Sequence, residues 1–254
     1  MRTNLYKFVF ASTALLPFYS PVASADFFQF SDTSASVLTG WGFELPGDHM
    51  SAFTLENANS WVGGDFYGFL DYRSQHDHPS NPNTWYGEVS PRFSLVKMGA
   101  LEARDGWVKD LLIATTWERG EGGNESFLVG AGVSLDIPGF SFFKANLYRR
   151  KDKSRGAGFD DTQFTFAFAY PFKLGKQAFV VNGISDYVFG HGPRERNWHF
   201  VPQLRWDAGA EHGKPRKYYL GLEFDYWDNQ FGIKNSAELD TRQFSVSFIF
   251  RVHL

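Results

Sequence analysis

Apolar and polar residues alternate along much of this chain with a period of two, the spacing of a strand that has one buried and one wetted face. The stretch FSVSFIFRVHL, residues 244–254, puts Phe244, Val246, Phe248, Phe250, Val252 and Leu254 on one row and Ser245, Ser247, Ile249, Arg251 and His253 on the other. One row is wholly apolar and the other mostly polar. A free edge this apolar is an aggregation site on a soluble sheet. In a barrel wall with lipid outside and water inside it is the expected pattern. The same alternation sets Phe164, Phe166, Phe168 and Tyr170 against Gln163, Thr165, Ala167 and Ala169. It sets Tyr218, Leu220, Leu222, Phe224 and Tyr226 against Lys217, Tyr219, Gly221, Glu223 and Asp225, and Trp198, Phe200, Leu204 and Trp206 against His199, Gln203, Arg205 and Asp207. In each case charge stays on one face. Aromatic residues at strand ends, such as Tyr170, Trp198, Trp206, Tyr218 and Tyr226, suit interfacial girdles.

Runs of about 9 to 11 residues, the length a tilted membrane-spanning strand needs, number twelve and lie near 36–44, 50–59, 64–73, 85–95, 107–118, 126–135, 140–149, 162–171, 177–187, 197–207, 217–227 and 243–253. The predicted fold is an all-β, transmembrane antiparallel β-barrel of 12 strands, in a single domain over residues 26–254. Pairing the last strand with SVLTGWGFE (36–44) removes the free edge. With the start in the periplasm, the inner turns include DIPG (136–139) and FKLGK (172–176), which are short. The outer loops include SQHDHPSNPN (74–83), RGEGGNE (119–125) and RKDKSRGAGFDD (150–161), which are longer and polar, the asymmetry of outer-membrane barrels. The inner turn DAGAEHGKP (207–215) and the brief outer loop at PGDH (46–49) depart from it. Proline has no N–H for the ladder. Pro171 therefore reads as a strand end, and local irregularity is expected at Pro91 and Pro202.

Composition sharpens this picture. The chain has 28 Phe, 11 Tyr and 8 Trp but a mean hydropathy of only -0.32, and no apolar run long enough for a helical span. That combination fits a barrel, in which only alternate residues meet lipid. There is no cysteine, which excludes a disulfide scaffold, a thiol nucleophile and a thiolate metal site. Residues 1–25 have the form of a secretory signal: Arg2 and Lys7, then the apolar FVFASTALLPF, then Ala23-Ser24-Ala25 at the cleavage position. The formal net charge of -3 and the absence of a dense basic tract argue against a nucleic-acid partner.

The stretch WGFELPGDHMSAFTLENANSWVGGDFYGFLDY (41–72) resembles the Tsx family of nucleoside-specific outer-membrane channels. The positions that carry the likeness are Thr54, Leu55, Glu56, Trp61, Gly64, Asp65, Tyr67, Phe69 and Asp71. The likeness continues in order through YGEVSPRFSL (86–95), GAGVSLDIPGFSFFKANLYRR (130–150), PFKLG (171–175), VPQLRWDAG (201–209) and YWDNQFGI (226–233). The resemblance implies a 12-stranded barrel that passes nucleosides and in some members serves as a phage receptor. Outer-membrane barrels commonly end in Phe, and Leu254 departs from that.

The candidate pore-lining, substrate-binding residues are Asp65, Tyr67, Phe69 and Asp71 on the third strand and Glu88 and Arg92 on the fourth. Later strands add Asp186, Arg205, Glu223 and Asp225, with Gln163, Asn182, His199, Gln203 and Asp207 beside them. Interior charges must pair, so a stiffening lattice of ion pairs is the plain alternative for each. Tyr67 and Phe69 are the stronger candidates, being aromatic on a polar row. His76-Asp77-His78 has metal-binding residue types but no third strong ligand nearby, and reads as a solvated loop. The run RRKDKSR (149–155) reads either as a solvated loop or as a contact for lipopolysaccharide phosphates. No metal or cofactor is called for, and no G-x-S-x-G or HExxH motif occurs. The expectation is a monomeric, non-enzymatic outer-membrane channel for nucleosides or similar small polar aromatics, in contact with the bilayer and lipopolysaccharide, with its outer loops open to phage. A plugged structural or receptor barrel is the alternative, and a lipid-acting barrel enzyme ranks below both.

Overall fold

The computed structural model describes residues 27–45, 47–77, 83–103, 105–153 and 161–254. The signal segment expected at 1–25 lies outside the described residues, as do His78 and Ser154-Arg155 of the basic run. The strands are β1 (Phe28–Trp41), β2 (Met50–Trp61), β3 (Gly64–Gln75), β4 (Asn83–Ser94), β5 (Val108–Gly120), β6 (Glu125–Leu135), β7 (Phe142–Asp152), β8 (Asp161–Leu174), β9 (Gln177–Val188), β10 (Asn197–Asp207), β11 (Tyr218–Asp228) and β12 (Gln243–His253). Each pairs antiparallel with its neighbours in sequence, and β12 pairs with β1, so the sheet is a closed barrel. The fold is a transmembrane antiparallel β-barrel, and all twelve predicted strands are present.

Burial is inverted relative to a soluble protein. The smallest exposures fall on polar side chains of the inner wall, such as Ser245 at 1% and Gln243 at 2%. High exposure falls on the apolar row outside, with Phe248 at 63% and Phe244 at 62%. The two rows alternate along β12 as its residue pattern requires. The outer row is a lipid-facing band, with aromatic residues at both rims. Trp side chains in that band place their indole N–H groups: Trp198 Nε1 donates to Ser185 Oγ at 2.8 Å and Trp206 Nε1 to Gln177 Oε1 at 2.6 Å. An unpaired N–H in hydrocarbon is expensive, and these two tryptophans are each seated beside an acceptor.

Irregularity appears at two of the three prolines. Pro91 keeps its pair with Phe66 on β3, but the β4–β5 ladder skips from Val89↔Trp117 to Arg92↔Ala114. Hydroxyl groups fill the gap: Thr115 Oγ1 donates to Pro91 O at 2.9 Å, and Ser90 Oγ meets Thr116 Oγ1 at 3.0 Å. Pro202 likewise pairs with Gly183 on β9 while the β10–β11 ladder skips from Phe200↔Tyr226 to Gln203↔Glu223. The register is unchanged across both gaps, so these are missing rungs rather than bulges.

Three boundary expectations need correction. Pro171 is not a strand end, because β8 continues to Leu174 and Pro171 pairs with Val180. The β7–β8 pairing stops at Ala169, so beyond it β8 has a partner on one side only and the missing N–H breaks no rung there. Strand β1 begins at Phe28, eight residues before the predicted start, carried by its long pairing with β2. Strand β7 runs to Asp152, so Arg150, Lys151 and Asp152 belong to the wall and not to an outer loop. The loop asymmetry is also weaker than expected. The connection over 95–107 is at the inner end, where β1 starts and β12 stops, and it rivals the outer one over 229–242. The inner segment 208–217 holds a four-residue helix, α1 (Ala208–Glu211), capped by the Asp207 side chain, which accepts from Ala210 N at 3.1 Å.

Because Phe248 sits on the lipid-facing row, Phe248→Arg is expected to destabilise the barrel by about 2–4 kcal/mol if placed near the bilayer midplane. Urea unfolding of the refolded chain in lipid vesicles measures this, and an unchanged midpoint would reverse the face assignment.

Candidate functional site

Register assigns the inner wall. Asp65, Tyr67, Phe69 and Asp71 of β3 face the same side as Glu88 and Arg92 of β4, since Asp65 pairs with Arg92 and Phe69 with Glu88. On the other side of the barrel, Asp186, Arg205, Glu223 and Asp225 share the inner row of β9–β11, with His199, Gln203, Asn182 and Asp207. The structure therefore puts all ten candidate residues in the lumen, but in separate groups.

Near the inner end, Arg92 holds Asp65 with two hydrogen bonds, Nε to Oδ1 at 2.9 Å and Nη2 to Oδ2 at 2.7 Å. It also donates to Asn146 Oδ1 at 3.2 Å and Ser134 Oγ at 3.1 Å. Lys144 of β7 closes on the same carboxylate at 3.3 Å. This cluster reaches from β3 to β7 and narrows the lumen.

Near the outer end, Arg150 of β7 uses all five of its N–H donors. Nη1 donates to Glu118 Oε1 and to Gln163 Oε1, both at 2.7 Å. Nη2 donates to Glu118 Oε2 at 2.6 Å and Ser126 Oγ at 2.9 Å, and Nε to Asp152 Oδ1 at 2.9 Å. Arg194, from the connection between β9 and β10, lies against Asp152 as well. Neither Glu118 nor Arg150 was among the candidates from sequence. Glu118 stands at the end of the predicted strand 107–118 and Arg150 at the start of the predicted loop 150–161, both next to polar connections.

Between these tiers three carboxylates, Glu88, Glu223 and Asp186, have neutral hydrogen-bond partners. Glu88 Oε1 accepts from Tyr86 OH at 2.7 Å, Glu223 Oε2 from Gln203 Nε2 at 2.6 Å, and Asp186 Oδ1 from Gln163 Nε2 at 2.9 Å. Asp71 takes Thr54 Oγ1 and Arg73 Nη2, both at 2.7 Å, and Asp225 meets His199 Nε2 at 3.1 Å. Tyr67 donates its hydroxyl to Glu56 Oε1 at 2.8 Å, and Glu56 is paired with Arg251. The rings of Tyr67, Phe69 and Tyr86 follow one another with centroids 5.9 and 5.8 Å apart, an aromatic path beside Glu88. Nearer the outer mouth, His199 stacks on Trp227 at 3.8 Å. Tyr86 and Trp227 were missed from sequence because each has an aromatic neighbour, Trp85 or Tyr226, that blurs which row faces in.

Arg205 differs from the other lumen arginines. It is 7% exposed, donates Nε to Asn182 Oδ1 at 3.1 Å, and lies 5.2 Å from the Tyr219 ring. Its Nη1 has no hydrogen-bond partner, and among the described residues no carboxylate lies within ion-pair distance of it. Gly221 opposite makes room for it, since a Cβ there would come within 2.9 Å of the Arg205 backbone.

In architecture this is a closed, 12-stranded antiparallel β-barrel. Among solved structures it is similar to the NanC porin, with a TM-score of 0.52 at 13% identity, covering 87% of this chain and 100% of that one. It is also similar to the KdgM porin, with a TM-score of 0.48 at 8% identity, covering 88% of this chain and 98% of that one. At these identities the likeness is one of fold. No family model and no curated protein matches the sequence.

Removing Glu118 strands the Arg150 guanidinium in the wall. Glu118→Ala is expected to lower stability by at most about 3–5 kcal/mol, since Asp152 still faces Arg150. The pair Glu118→Gln with Arg150→Gln is expected to recover part of the loss in the same vesicle unfolding assay.

Proposed function

We propose that this chain is an outer-membrane channel through which nucleosides, or similar small polar aromatic solutes, diffuse down their gradient. One observation carries the reading: the Tyr67–Phe69–Tyr86 path runs up a polar wall beside carboxylates whose partners are neutral. A flat base stacks on the rings. Glu88 and Glu223 keep acceptor capacity for the hydroxyls of a sugar, because no cation holds them among the described residues. The likeness to the Tsx family points to the same solute class. Weak, successive sites suit conduction better than one tight pocket, since each must release its solute. In this reading the ten candidate residues line the path, both ends of the sheet face the periplasm, and the barrel works as a monomer without a cofactor.

The second reading is a plugged barrel serving as a structural element or as a phage receptor through its outer loops. The Asp65–Arg92–Lys144 cluster favours it, because it spans from β3 to β7 across the interior.

Single-channel conductance of the refolded chain in a planar bilayer separates the two. A small steady conductance reduced by adenosine or thymidine is the expected result. Conductance without block discards nucleosides as the solute, and a folded but silent barrel selects the plugged reading. Base–aromatic stacking is worth about 1–3 kcal/mol per base. Replacing Tyr67 and Phe69 together by Ala is therefore expected to weaken block by about tenfold or more while the barrel stays folded. Unchanged block removes both from the path.

A further inference from the structure

The basic run at 149–152 is split by the strand that contains it. Arg150 and Asp152 point into the lumen, where Arg150 pairs with both Asp152 and Glu118. Arg149 and Lys151 point the opposite way, onto the lipid-facing row. Arg149 is exposed where Arg150 is buried. Their cross-strand partners confirm the face: Arg149 pairs with Val129 and Lys151 with Phe127, which are 44% and 37% exposed among the outer apolar residues.

Position on the wall makes this unusual. At the outer rim of the other strands the lipid-facing row carries aromatic side chains, among them Trp41, Tyr72, Trp85, Trp198, Tyr226 and Phe244. Strand β7 has Arg149 and Lys151 there instead. Arg119 at the end of β5 lies 6.0 Å from the Trp117 ring, and Lys153 just past β7 lies 4.9 Å from the Phe127 ring. Four cations thus flank β6, one on β5 and three on or just past β7, beside the Trp117 and Phe127 rings, and Glu125 at the start of β6 lies 3.0 Å from Lys153. Arg149 Nη1 donates to Thr162 Oγ1 at 2.8 Å, which fixes its side chain along the wall.

A cation on the lipid-facing surface is strongly unfavourable at the midplane and close to neutral only at the interface. Arginine and lysine there are best matched by phosphate, which takes the forked guanidinium and the ammonium as charge-assisted donors. We propose that Arg119, Arg149, Lys151 and Lys153 form a binding surface for the phosphates of a phosphorylated glycolipid in the outer leaflet, the lipid A part of lipopolysaccharide. Trp117 and Phe127 pack against its sugar and upper acyl region. The surface rests on the outer-membrane orientation given above but not on the identity of the solute, because it lies on the opposite face of the wall from the lumen.

Native mass spectrometry of the refolded barrel in detergent, with bis-phosphorylated lipid A added, tests it. Retained lipid is expected for the unaltered chain. At least tenfold weaker retention is expected for lipid A stripped of both phosphates, and for the double variant Arg149→Gln, Lys151→Gln. Arg119→Gln with Lys153→Gln serves as a second variant, and heat-modifiable migration on a gel verifies that each is folded. Arg242→Gln, at an outer connection away from these strands, is expected to retain lipid fully. Equal retention of the stripped lipid, or full retention by both double variants, overturns the proposal. Displacement of lipid A by millimolar inorganic phosphate alone overturns the lipid as the source and leaves a general anion site. Conductance and nucleoside block in the same double variants are expected to stay unchanged, so failure here is distinct from failure of the channel reading.

Discussion

Everything in this structure depends on the closure of β12 onto β1. A strand inside a bilayer has no water to satisfy its N–H and C=O groups, so a membrane-spanning sheet has to end where it began. The seam runs from Ser34↔His253 to Trp41↔Val246, and Leu254 N donates to Thr33 O at 2.8 Å just beyond it. Polar groups reinforce the seam from within. Arg251 on β12 donates Nε to Ser36 Oγ on β1 at 2.8 Å and pairs with Glu56 on β2, while His253 Nδ1 meets Asp32 at 2.8 Å. These contacts fix register as well as proximity. A slip of one residue would turn Phe248 and Phe250 into the lumen and Arg251 into lipid.

Closure creates the second constraint, a lumen whose charges are shielded from bulk water and must answer one another. The structure meets it unevenly. Arg150 and Arg92 are held by several acceptors each, and their tiers brace the outer and inner parts of the wall. In the middle, Glu88, Asp186 and Glu223 receive hydrogen bonds from tyrosine or glutamine, and Arg205 keeps a donor unused. A lattice built only for stiffness would pair these acids and this guanidinium with one another. Leaving them to weaker partners keeps part of their hydrogen-bonding capacity unused.

The twelve strands were legible because each keeps a period of two across enough residues to separate its faces, and the ten lumen candidates followed from the same alternation. Strand ends were less legible. Glu118 and Arg150 stand next to polar connections, so their charge reads as solvation even though each faces the interior. The partnership of Arg251 with Glu56 links positions nearly two hundred residues apart, and only closure brings them together. Pro171 misled for a physical reason: the rule that proline breaks a ladder applies to a strand paired on both sides, and β8 has lost β7 by that point.

The residues Arg149-Arg150-Lys151-Asp152 show how much the secondary structure decides. In a loop, four charges in a row form one solvated cluster. In a strand they divide: two face the barrel interior and two face outward, with no room for exchange between them. Arg150 and Asp152 can then be specialised for pairing with Glu118 and Arg194. Arg149 and Lys151 stand on the outside instead, where much of the rest of the rim is aromatic and Arg149 donates to Thr162. Inward charge on this strand is thereby a matter of stability, and outward charge a matter of the lipid it meets. The two can change independently because the barrel wall separates them.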